Sequence, residues 1–361
     1  MTGPQWIRGV TSRQAHADLP PGTHEDEHGR SGFFGPASHL YRLHAPTDWL
    51  QVEGPAAHRA FDLTRGAGEV LRNGDVVVSF VRVDAAGDFR RDADGDELFF
   101  VHSGTGTLRT EYGPLDYRDG HYLLVPRGTT YRFEPGAGST TELLVIEALG
   151  ERLSLPDHGP MGRHAFVDPA MVDVPEAEAV REEGEFVVVV KRGGAETRVT
   201  YGFHPCDVVG WKGDLAPMRL HVDDLRPIVS ARYHLPPSVH TTFLAPGFVV
   251  CTFAPRPVES DPDALRLPFF HRNVDYDEVL FYHRGQFFSR AGVGAGTLTF
   301  HPSGLHHGPQ PGARARDAEV GAVVGREHDE VAVMIDARRP LSVCAGAEAF
   351  EVEEYVSTWT P

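Results

Sequence analysis

Two histidines and a glutamate stand at a spacing that suits a single metal ion. His271 and Glu278 bracket the string HRNVDYDE (271–278), and His307 closes GTLTFHPSGLHH (296–307). Two neutral imidazoles and one carboxylate on one face of a metal leave about three positions open, the donor set of non-haem Fe(II) oxygenases. Zn(II) accepts the same donors, but it prefers fewer ligands and passes no electron to O2. Asn273, two residues after His271, brings no ring to the set. His306 is left out, because alternation along an extended chain turns it away from the side that His307 faces.

These residues need strands to hold them. Short runs rich in Val, Phe, Tyr and Thr recur at 76–83, 106–112, 122–126, 141–148, 185–190, 248–254, 278–282, 297–301 and 331–336. They are separated by turn residues, with Gly 39 and Pro 28 in all, and this pattern describes an all-β protein with few short helices. The pattern also repeats. Glu97 is followed by Gly104 and then by GHYLLVPRG (120–128); Glu278 is followed by Gly285 and then by GTLTFHPSG (296–304). Both halves read E-x6-G and then G-x5-P-x-G, the two-part pattern of cupins, which are double-sheet jelly rolls. The expected organisation is an N-terminal lobe over 1–154, a proline-rich and acidic linker over 155–184, and a C-terminal lobe over 185–361 that carries the iron. The first lobe lacks a comparable donor set: Arg90 and Asp92 stand at the upstream positions, and Tyr131 stands where the last histidine would be. That lobe is expected to be structural.

The formal net charge of −17 disfavours nucleic acid and anionic membranes as partners. No apolar run approaches the roughly 20 residues of a membrane helix, and the N-terminal segment has no apolar stretch of the kind that marks secretion. The three cysteines, Cys206, Cys251 and Cys344, form no close pair, which suits a reducing, cytoplasmic setting.

Longer strings are similar to the homogentisate 1,2-dioxygenase family: LYRLHAP (40–46), DGDELFFVHSGTGTLRTEYG (94–113), LPDHGPMG (155–162), HPCDVVGWKGDLAP (204–217), FFHRN (269–273) and HGP (307–309). The resemblance implies a two-lobed cupin that uses Fe(II) and O2 to open a 1,4-dihydroxylated ring. In the family, homogentisate becomes maleylacetoacetate during tyrosine and phenylalanine catabolism, and the chains assemble as trimers or hexamers. It implies that His271, Glu278 and His307 hold the iron. It also implies that His234, in the string HLPPS, takes a proton from the substrate, with His240 as the alternative base, and that His301 is a second pocket histidine. Where the family has a tyrosine that contacts the substrate's carboxylate, this chain has Phe287; Arg290 is then the nearby group that could hold an acid. The spacing from His271 to Glu278 is one residue longer than in the best-known members, and the chain is shorter. Two other readings use the same residues: a metal-dependent cupin of another class, such as an isomerase or decarboxylating enzyme, and a non-catalytic cupin that binds a small ligand.

Overall fold

In the computed structural model, the described residues are 6–157, 159–265, 268–287, 289–290, 292–320 and 327–359. Each of the nine apolar runs is wholly or mostly strand. Among the described residues there is one α-helix, Pro311–Val320, and the other helical pieces are short 3₁₀ turns. The chain is therefore all-β and forms a two-lobed cupin.

Two sheets meet at the centre of the molecule. One runs, in order, through Met218–His221, His121–Val125, Gly95–Ser103, Thr141–Leu149, Val76–Val83, Gly68–Arg72 and Ser342–Val343. The other runs through Thr241–Ala245, Phe248–Phe253, Val331–Ala337, Asp277–Arg284, Thr297–His301 and Arg59–Asp62. Side chains alternate across each strand. One face of each sheet meets the other lobe, and Phe80, Phe100 and Tyr122 pack there on Phe243 and Phe281 in a common core. The Tyr122 hydroxyl is satisfied by Thr252 across this interface, at 2.8 Å.

The opposite faces line the two barrel interiors. In the first lobe, Phe99, Leu108, Tyr117, Leu123, Tyr131 and Phe133 close on one another. In the second, Val249, Cys251, Leu280, Tyr282, Ala332 and Met334 cluster on the matching face. The E-x6-G motif has a steric cause. Gly104 and Gly285 sit at φ 100 and 91, where a side chain would meet the backbone oxygens of Thr140 and Asp329 at 2.5 and 2.3 Å.

The strand pairing departs from the expected division at 154 and 185. Glu183–Arg192 pairs with Phe89–Asp92, Ala195–Phe203 pairs with Glu183–Arg192, and Met218–His221 pairs with His121–Val125, so residues 183–221 complete the first lobe. Conversely, Arg59–Asp62 adds an edge strand to the second lobe's sheet beside Thr297–His301. His24–Gly29 lies parallel to Phe270–Asn273. The segment 155–182 links strands of the first lobe and is no interlobe linker. Edge pairing between distant segments leaves no local mark in composition, which is why the sequence places the boundary too early.

Candidate metal centre

Glu278 projects into the second barrel from Asp277–Arg284, on the face shared by Leu280 and Tyr282. His271 comes from Phe270–Asn273, and His307 from the turn after Thr297–His301. The two histidines are locked by reciprocal backbone bonds: His271 N–H donates to His307 O at 2.9 Å, and His307 N–H to His271 O at 3.0 Å. Their rings lie 4.0 Å apart, centre to centre. Each Nε2 points at the same carboxylate oxygen, Glu278 Oε2, at 3.6 Å from His271 and 3.4 Å from His307.

The ring nitrogens test whether these residues suit a metal. His271 Nδ1 faces the carbonyl of Phe269 at 3.1 Å, and His307 Nδ1 that of Leu305 at 3.4 Å. Such a contact places the proton on Nδ1 and leaves a lone pair on Nε2. Both Nε2 atoms are buried and have no hydrogen-bond partner. Buried polar atoms are rarely left in that state without a reason, and a cation held between the three residues supplies one.

Burial and close neighbours set the charge at the centre. Burial works against charge on Glu278, but its His307, His271 and His301 neighbours outweigh it and hold the carboxyl well below the usual range. Asp336 lies beside Glu278 in register on the next strand. Burial, and then the Glu278 charge, push it well above the carboxylate range. Burial also lowers His307, toward the neutral ring that a metal needs, whereas His271 is raised, its burial being outweighed by its contact with Glu278.

His301 is close to the centre but does not line the cavity. Its Nδ1 meets Glu278 Oε1 at 2.8 Å, its Nε2 meets the Tyr355 hydroxyl at 3.0 Å, and the residue is fully buried. This corrects the expectation of a second pocket histidine. Glu278 and His301 are register partners, so the ring is spent on holding the carboxylate. His58 backs the same cluster, 4.8 Å from the His301 ring, with Nε2 on the carbonyl of His306 at 3.0 Å. His306 itself turns away from the centre to the buried Asp26, at 3.1 Å.

The centre opens on a cavity with about 620 Å3 of empty space, counting its mouth. Phe33, Phe253, Phe269, Leu280 and Met334 form apolar walls, and His234, Tyr282, Arg256, Glu330 and Arg290 bring polar groups. His234 reaches the cavity from the loop before Pro237–His240, and its Nδ1 is held by Glu259 Oε1 at 2.8 Å. His240, the alternative base, is buried elsewhere: its Nε2 bonds the carbonyl of Ile228 at 3.0 Å, and burial takes it down to about 4. It does not line this cavity.

Arg290 is buried with its Nη1 on the carbonyl of Gly308 at 2.6 Å and its guanidinium over Trp359. Phe287, by contrast, does not reach the cavity. It packs edge-on against Tyr282 at 4.7 Å, and Tyr282 lines the cavity. Sequence reasoning missed Tyr282, Glu259 and the Arg256–Glu330 ion pair at 2.9 Å. Tyr282 was within reach, since it stands four residues after Glu278 on the same strand and so shares its face. Glu259 lies on a loop, where no periodicity applies.

Known sequences align with the whole of this arrangement. The N-terminal model of homogentisate 1,2-dioxygenase matches residues 60–222, and the C-terminal model matches residues 228–361. A Saccharolobus solfataricus protein provisionally named a dioxygenase is 33% identical over 364 residues, covering 93% of this chain and 92% of that one. A homogentisate 1,2-dioxygenase of Sinorhizobium fredii is 28% identical, covering 81% of this chain and 67% of that one. Among solved structures, the Escherichia coli protein Ylba aligns over 81% of this chain at 11% identity with a TM-score of 0.35.

Proposed function

Since the chain belongs to the homogentisate 1,2-dioxygenase family and is a dioxygenase, we propose that it cleaves a 1,4-dihydroxylated aromatic ring with Fe(II) held by His271, Glu278 and His307. The observation that carries this reading is the pair of orphaned Nε2 atoms aimed at one Glu278 oxygen, on the wall of an apolar cavity. Fe(II) at these donors would supply the chelation of a ring oxygen and the one-electron chemistry with O2 that such a reaction requires.

The chain's own groups do the rest. Phe33, Phe253, Phe269, Leu280 and Met334 offer flat apolar contact to an aromatic ring and displace water around it. His234 is the proton acceptor. Glu259 takes the proton side of Nδ1, so Nε2 is the nitrogen left to accept a proton from a phenolic hydroxyl. Glu259 then stabilises the imidazolium formed. At the polar end, Tyr282 and Arg290 provide a hydroxyl and a guanidinium for a carboxylate tail, the role first assigned to the position of Phe287. Homogentisate, or a related hydroquinone or gentisate-like acid, fits these groups. We take the setting to be cytoplasmic catabolism, with the chain in a trimer or hexamer and no nucleic acid or membrane partner; among the described residues no helix is long and apolar enough to cross a membrane.

The test is O2 uptake by Fe(II)-loaded protein with a panel of 2,5-dihydroxy aromatics, with and without a carboxylate. Stoichiometric O2 consumption with loss of ring absorbance is expected for the acids. Turnover of a substrate under strict anaerobiosis would instead assign the protein to an isomerase or decarboxylase chemistry.

A further inference from the structure

We infer that a second divalent metal ion binds between His16, Glu27 and His39, outside the catalytic cavity. Glu27 and His39 face each other as register partners on the hairpin formed by His24–Gly29 and Ala37–Arg42. His16 enters from the loop before that hairpin. His39 Nε2 lies 3.0 Å and His16 Nε2 3.7 Å from the same oxygen, Glu27 Oε2, and all three donor atoms fall within 4.8 Å of one another. This matches the donor chemistry and spacing of His271, Glu278 and His307.

The surroundings of His16 are those of a metal ligand. Its Nδ1 meets Glu25 Oε2 at 2.8 Å, and its backbone N–H donates to the same oxygen at 2.9 Å. Glu25 Oε1 is in turn held by the Tyr41 hydroxyl at 3.2 Å. A carboxylate on Nδ1 fixes the tautomer and turns the Nε2 lone pair toward the site, the usual support of a metal-bound histidine. The ring is clamped flat on Phe269, 3.9 Å between centres and 12° between planes. His16 holds φ 61, rarely adopted by a residue with a side chain. Its carbonyl accepts from Leu265 N–H at 3.0 Å, so the surrounding contacts fix this geometry.

Access and selectivity follow from the same residues. His16, Glu25 and Glu27 are buried, while the His39 side chain is 28% exposed and provides the way in. Two imidazoles and one carboxylate favour a late first-row ion such as zinc over magnesium or calcium, which prefer oxygen donors throughout. The acidic group Asp92, Asp94 and Glu147 makes a useful contrast: there the ammonium of Lys191 already sits against Asp92, at 2.9 Å, and against Glu147. The second ion would tie the segment around residue 16 to the hairpin and, through Phe269, to the wall of the cavity. None of this depends on the reaction proposed above.

Zinc binding to metal-free, full-length protein, measured by equilibrium dialysis and elemental analysis, tests the site. Two zinc ions per chain are expected for the unaltered protein, one for His39→Ala and one for His307→Ala. Glu27→Gln, nearly equal in volume, serves as the second variant should His39→Ala prove misfolded by circular dichroism. Crystals soaked in zinc should show an anomalous peak among His16, Glu27 and His39. A single ion in the unaltered protein, an unchanged count in both variants, or no anomalous peak at this position overturns the inference.

Discussion

Glu97 and Glu278 hold matching positions in the two barrels. Each is paired in register with an acidic residue on the neighbouring strand, Glu147 for the first and Asp336 for the second. Around Glu278 stand three histidines and small or flexible residues, among them Ala332, Cys251 and Met334, and a cavity results. Around Glu97 the inward positions are filled. Phe99, Tyr117, Tyr131 and Phe133 close the space, and the Tyr131 hydroxyl donates to Glu97 at 2.7 Å. Lys191 neutralises Asp92 and Glu147 beside it. Phe99 occupies the place of Leu280, and Leu143 that of Ala332, counted from the matched glutamates and their partners. The same sheets thus make either a packed core or an open cavity. Only the inward side chains decide, by volume and by whether they end in a lone pair.

Exchanging donors should separate the lobes most sharply. Either His307→Ala or Glu278→Gln should abolish iron at the centre and reduce turnover to background, whereas Glu97→Gln should change neither. Iron content and O2 uptake read both outcomes. Full activity after His307→Ala, or loss of iron after Glu97→Gln, would reverse the roles assigned to the two barrels.

Next in size is the effect at His234, proposed above as the proton acceptor. His234→Ala should keep its iron and lose about 10²–10⁴ in rate. Normal turnover in that variant would remove His234 from the chemistry, and His240 could not replace it, being hydrogen-bonded to Ile228 away from the cavity.

A smaller effect is expected at the polar end. Tyr282→Phe should lower kcat/KM for carboxylated substrates by roughly ten- to a hundredfold, the equivalent of ~1.5–3 kcal/mol for a hydrogen bond to a charged group. Phe287→Tyr should move it far less, because that ring packs on Tyr282 and does not reach the cavity. Steady-state kinetics on homogentisate and on an alkylhydroquinone of similar size compare the two directly.

The smallest effect on activity, though a measurable one on stability, lies in the packed barrel. Burial, then the charge of Asp92, raises Glu97 from 4.5 to about 8. The folded chain keeps a proton that the unfolded chain releases above about pH 4.5, so this residue makes stability fall as pH rises from about 4.5 to 8, after which the loss is complete. Glu97→Gln should flatten that slope and raise Tm at pH 8.5 relative to the unaltered protein, with little difference at pH 4. Equal pH slopes in thermal melts would show that Glu97 does not hold the extra proton.

The comparison also explains what the sequence could convey. That His271, Glu278 and His307 come together is legible, because alternation and the short turn at Gly304 leave little freedom. Alternation says that His301 faces inward. It cannot say that Glu278, its register partner, takes one ring nitrogen and Tyr355 the other. Phe287 shows a related limit: past Gly285 the strand has ended, and alternation no longer says that this ring packs on Tyr282, the side chain that lines the cavity. The lobe boundary failed because edge strands are recruited from far along the chain. Pairing of Val188 with Phe89, or of Leu298 with Phe61, is a property of the closed barrels and of no local window.

That exchange of edge strands bears on how the protein is made. Arg59–Asp62 emerges early from the ribosome, but its partner Thr297–His301 is the product of much later synthesis. At roughly 5–20 residues per second the strand waits on the order of ten to fifty seconds with one edge open. Its sequence, RAFD, is short and begins and ends in charge, features that discourage pairing with a neighbouring nascent chain. Ser342–Val343, later still, closes against Gly68–Arg72 in the first lobe. Each barrel therefore waits for strands made late in the chain, the first for Ser342–Val343 and the second for Thr297–His301 and Val331–Ala337.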